Sequence, residues 1–109
     1  MASDKKYLEY ILEQLSEADG ITYKPMMGEF ILYRYGKSFG GIYDNRFLVK
    51  PTKSAKELMP NAETALPYKG AKEMLPANNV EDREFMRKLV IAIYNEIPEK
   101  KKKQIKRRT

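Results

Sequence analysis

The sequence predicts an α+β fold on an antiparallel sheet, with elements in the order α-β(3)-α-β(2)-α. Two observations carry that expectation. Apolar residues recur at helical spacing near both ends, Tyr7, Leu8, Ile11, Leu12 and Leu15 in one case and Phe85, Leu89, Ile93 and Ile97 in the other. Between them lie "FILYRY", "SFGGIY" and "RFLVK", rich in aromatic and branched residues and separated by the pairs Gly36-Lys37 and Asp44-Asn45.

The first helix is expected over Asp4 to Ser16, capped by Ser3 or Asp4 and stopped by Asp19-Gly20, with Glu9, Glu13 and Glu17 on its solvent side. The three strands follow from Phe30 to Lys50. Pro51 ends the third, and "SAKELM", Ser54 to Met59, forms a short helix that stops before Pro60. Ala65–Tyr68 and Lys72–Leu75 read as edge strands around Lys69-Gly70, confined to edges by Pro67 and Pro76. Glu81 to Glu96 forms the last helix, with Glu81, Asp82 and Glu84 favouring its N-terminal dipole and Pro98 ending it.

Two-residue hairpin turns at Gly36-Lys37 and Asp44-Asn45 set a register and therefore two faces. Tyr35 is expected opposite Ser38, Tyr33 opposite Gly40 and Ile31 opposite Ile42, with Tyr43 opposite Arg46 and Ile42 opposite Phe47. Ile31, Tyr33, Ile42, Phe47 and Val49 then form an apolar face for helices to cover. Phe30, Leu32, Arg34, Phe39, Tyr43, Arg46, Leu48 and Lys50 form a mixed aromatic and basic face. Phe30, Arg34, Phe39, Tyr43, Arg46 and Lys50 are its candidate partner surface, since aromatics and Arg are enriched at interfaces.

The chain has 109 residues and neither cysteine nor histidine. That length suits one domain, expected over residues 1–98. The composition removes disulfides, thiolate metal sites, the Ser-His triad and the commonest general base. No cofactor, metal or catalytic residue is expected. No apolar run approaches membrane-spanning length and the N-terminus has no apolar signal core, so a cytoplasmic protein is expected. The net charge of +6 sits wholly on residues 99–109, "EKKKKQIKRRT", with seven bases and one acid. That segment reads as a disordered tail whose Lys100, Lys101, Lys102, Lys103, Lys106, Arg107 and Arg108 are candidate nucleic-acid contacts. The remaining chain holds fourteen residues of each sign and is neutral.

Gly36-Lys37-Ser38 ends like a P-loop, but the required glycine five residues earlier is Ile31, and a strand follows in place of a helix N-terminus. The triplet reads as a hairpin turn. Met26-Met27-Gly28, entering the first strand, reads as a plug for the end of the core, with a pocket or partner surface as the alternative.

"YKPMMGEFILYRYGKSFGGIYDNRFLVK", Tyr23 to Lys50, resembles the N-terminal domain of the TfoX (Sxy) family. The matches are Met26, Gly28, Gly36-Lys37, Phe39-Gly40, Asp44, Arg46 and Lys50, and the resemblance continues through "LPYKGAKEML" to the helix ending near Ile97. Met27, Glu29 and Asn45 depart from that family's usual Phe, Gly and Gly. The resemblance implies an α+β fold shared with secretion chaperones and brings no catalytic residues. Its competence regulators carry a second, C-terminal domain, so a stand-alone N-terminal domain is expected. The implied function is a noncatalytic regulatory or protein-interaction domain, with a protein partner or a second copy bound through the mixed sheet face. The alternative is a nucleic-acid-associated protein using the tail, with Arg34, Arg46 and Lys50 extending the footprint.

Overall fold

The computed structural model describes residues 3–98. Helix α1 spans Lys5–Gln14, and the Asp4 carboxylate caps it by accepting from the Lys6 amide. Strands β1 (Ile21–Met26), β2 (Glu29–Arg34), β3 (Lys37–Tyr43) and β4 (Arg46–Val49) follow, then α2 (Lys53–Leu58), the short β5 (Leu75–Pro76) and α3 (Arg83–Glu96). Thr52 and Asp82 cap α2 and α3 through the amides of Ala55 and Phe85. The strands form one antiparallel meander in the order β1-β2-β3-β4-β5. No helix among the described residues is long and apolar enough to cross a membrane.

The α+β class and antiparallel sheet match expectation, while the element order differs in two places. A strand stands where none was expected, at "ITYKPM". Pro25 argues against a strand interior, yet β1 lies at the sheet edge, where a missing N–H costs no ladder bond. The two expected late strands reduce to one isolated bridge between Ala65 and Met74, followed by β5 on the edge of β4. Prolines and a Lys-Gly turn leave that region too short for a paired ribbon. The basic tail lies outside the described residues.

The β3–β4 register is as expected, with Tyr43 opposite Arg46, Ile42 opposite Phe47 and Gly40 opposite Val49. Asp44 and Asn45 both take positive φ, 54° and 56°, as a type I′ turn requires. The β2–β3 register is not as expected. Its turn is Tyr35-Gly36, at φ 48° and 81°, one residue earlier than Gly36-Lys37. A bulge then shifts the pairing between Leu32 and Tyr33, so that Leu32 faces Gly40 and Phe30 faces Ile42. One residue of slip moves the whole of β2 to the opposite face.

Phe30 and Leu32 thereby join Ile42, Phe47 and Val49 on the helix-covered side, and Phe39 at the bulge turns inward with them. Leu8 and Ile11 of α1, Leu15 at its C-cap, and Met86, Leu89, Val90 and Ile93 of α3 close over that face. Ser54 at the start of α2 donates from both its amide and hydroxyl to the Glu96 carboxylate, tying α2 to the end of α3. The other face is crossed by the segment from Ala65 to Met74, where Tyr68 lies against Tyr43 with ring centroids 6.1 Å apart.

Candidate partner-binding cleft

The corrected register takes the expected partner surface apart. Phe39 is fully buried in the core, and Phe30 packs against it. Arg34 also points to the helix side. Its guanidinium is 2.7 Å from the Asp19 carboxylate, donates through Nε to the Asp19 carbonyl, and lies between the rings of Tyr35 and Tyr94 at 4.9 and 4.7 Å. Tyr43 and Arg46 do occupy the opposite face, but Tyr43 is buried beneath the crossing segment. Lys50 follows β4, its amide donating to the Phe39 carbonyl. Lys100, Lys101, Lys102, Lys103, Lys106, Arg107 and Arg108 lie outside the described residues. Lys37, the lysine of the P-loop-like triplet, donates to the Ile97 carbonyl at the end of α3 and sits 4.2 Å above the Tyr94 ring.

A different surface gathers on the side away from the helices. Met27 and Gly28 form the β1–β2 turn at φ 51° and 86°, a two-residue turn that lifts the Met27 side chain clear of the sheet. Met27 is 92% exposed, so it plugs nothing. It faces the loop that carries Leu66 and Tyr68, 47% and 53% exposed, across a cleft of about 650 Å³. Met26, Glu29, Asp44, Arg46, Pro67 and Lys69 complete the lining.

The floor of the cleft is polar and internally satisfied. The buried Glu29 carboxylate accepts from the Ser3 hydroxyl at 2.5 Å and the Asp44 amide at 3.1 Å. Ser3 also donates its amide to the Gly28 carbonyl and accepts from the Asn45 amide, so the segment before α1 binds the two hairpin turns together. Arg46 donates to the carbonyls of Tyr43, Leu66 and Pro67, which pins the opposite wall to β4. Burial holds the Tyr43 hydroxyl above its ordinary pKa, with the nearby Tyr68 adding to the shift, and the phenol stays protonated. These groups are engaged with one another, and the rim is what faces outward. Met27, Leu66 and Tyr68 are apolar anchors, with the exposed Asp44 and Lys69 beside them. Such a rim can take up an apolar side chain and place a charge of either sign at its edge.

The sequence carried a signal for this site. Met27-Gly28 stands between two runs of β-forming residues and has glycine at the second turn position, the pattern of a hairpin. Leu66 and Tyr68 gave none, because their exposure depends on how Arg46 holds the loop. A curated relative supports a common ancestry for the chain. The "Uncharacterized 12.7 kDa protein in trpE 5′region" of Spirochaeta aurantia is 36% identical over 80 residues, covering 73% of this chain and 70% of the relative. No family model and no solved structure matches.

Proposed function

This chain belongs to the same family as the Spirochaeta aurantia 12.7 kDa protein, and from that premise we propose that it is a noncatalytic protein-interaction domain of the TfoX N-terminal type, working through the Met27 cleft. The ordered matches from Met26 to Lys50 support the TfoX-type reading and its link to regulators of competence. The observation that carries the interaction reading is the exposure of Met27, Leu66 and Tyr68 around one cleft. Large apolar side chains gathered on a surface are costly to leave in water, and methionine adapts its shape to a partner. Glu29 and Arg46 favour a binding role over a chemical one, since both are engaged in holding the cleft walls.

Affinity capture from the native host with nuclease present, followed by titration of the purified captured protein, tests this reading. Wild type should bind it, and Met27→Glu should weaken binding tenfold or more at unchanged thermal stability. Equal affinity for both forms would contradict the proposal. Capture that disappears with nuclease would transfer the function to the basic tail and nucleic acid.

A further inference from the structure

The methionines divide sharply between interior and surface. Met59 and Met86 are buried and Met26 and Met74 half-buried, whereas Met27 is 92% exposed. The chain has no cysteine, so no thiol of its own competes with a thioether for an oxidant. The backbone makes the placement of Met27 more pointed. At φ 51° it holds the first position of a two-residue turn, where Asn, Asp or Gly is ordinarily selected. The β3–β4 turn follows that preference, with Asp44 and Asn45 at φ 54° and 56°. A methionine in such a turn gains neither local propensity nor burial, and Met27 lies outside the core cluster. Turn geometry and packing therefore do not account for its identity, which leaves a functional role. Its side chain stands at the rim of the cleft with Leu66 and Tyr68.

We propose that Met27 is an oxidation site, at which a hydroperoxide converts the thioether to the sulfoxide and so closes the cleft to its partner. A lone pair on Sδ attacks the terminal peroxide oxygen, and the S–O bond forms as the O–O bond breaks. The proton of the attacked oxygen passes to the departing one, which leaves as water or an alcohol. Sulfur gives up two electrons and the peroxide takes them. The product is a polar side chain where an apolar anchor stood. An apolar partner group entering beside it has to strip water from the sulfoxide oxygen, a cost that the thioether does not impose. The fold is spared, because Met27 is packed into no part of the core. A thiol-dependent sulfoxide reductase reverses the step, and the exposure that admits the peroxide also admits the reductase. The consequence for binding rests on the cleft reading, while the chemistry at Met27 does not.

The chemistry is read on the purified full chain alone. In dilute hydrogen peroxide, peptide mapping by mass spectrometry should find Met27 oxidised about tenfold or more faster than Met26, Met59, Met74 and Met86, with the thermal midpoint unchanged. The consequence is read by titrating the host protein that the untreated chain retains with nuclease present. The Met27 sulfoxide should weaken that binding about tenfold or more, and sulfoxide reductase with dithiothreitol should restore it. Met27→Leu offers no sulfur, so its affinity, whatever the starting value, should be the same before and after peroxide. Oxidation spread evenly over the methionines, a fallen thermal midpoint, or equal peroxide sensitivity in Met27→Leu would overturn the inference. If Met27→Glu weakens binding and the sulfoxide does not, the inference alone fails. If Met27→Glu binds as tightly as wild type, the cleft reading fails and takes the switch with it.

Discussion

Tyr35 holds a left-handed backbone angle, φ 48°, that turns ordinarily give to Asn or Gly, and its neighbours explain how. Its hydroxyl donates to the Asp19 carboxylate, and its ring meets Tyr94 edge-on with centroids 6.0 Å apart. The Tyr35 hydroxyl, and then the Arg34 guanidinium, lowers the Asp19 carboxyl from 3.8 to about 2. A carboxylate depressed in this way adds stability that is fully present above pH 3.8 and fades as pH falls through about 2. Urea unfolding of wild type and Asp19→Asn should therefore differ at neutral pH and converge toward pH 2. A difference independent of pH would contradict this assignment. Two glycines separate backbone strain from crowding. Gly36 has φ 81° and open space around a built Cβ, so Gly36→Ala should cost about 1 kcal/mol. A Cβ on Gly40 would lie 2.3 Å from the Leu48 carbonyl oxygen, and Gly40→Ala should cost more, roughly 1–3 kcal/mol or beyond. Denaturant midpoints at constant m-value check both, and an equal cost would count against the close β3–β4 approach.

At the scale of elements, Arg46 joins the loop at Leu66 and Pro67 to β4. Arg46→Met should free that loop and lower stability by about 1–2 kcal/mol, the worth of a few hydrogen bonds to a charged donor. Limited proteolysis should then cut between Leu66 and Lys72 faster than in wild type, and unchanged cutting would show that the tether is not what orders the loop. The elements also mark where sequence reasoning succeeds. Helices α1 and α3 and the β3–β4 hairpin were legible, because apolar period and Asp44-Asn45 are local signals. The β2–β3 turn was not, because tertiary contacts with Asp19 and Tyr94 hold a tyrosine where local preference selects Gly-Lys. That slip carried Phe30, Arg34 and Phe39 to the wrong face of the reading. Strand β1 was hidden by Pro25, whose tolerance depends on its place at the edge. The cleft depended on these same non-local facts, so only its Met-Gly turn and the Asp44 to Arg46 side of its wall could be read in advance.

Across the whole molecule, the helices close one side of the sheet and leave two features on the remaining surface. One is the outer edge of β1, and the other is the apolar rim at Met27, Leu66 and Tyr68. Residues 1–98 carry fourteen residues of each charge, and the basic segment lies beyond Pro98. The interaction reading is tested most directly by a photo-cross-linking side chain placed at position 27 in the native host, with Tyr10, exposed on α1, as the control position. A defined protein adduct is expected from position 27, absent from position 10 and lost when Tyr68→Asp is added. Adducts of equal yield from both positions, or none from position 27, would contradict it.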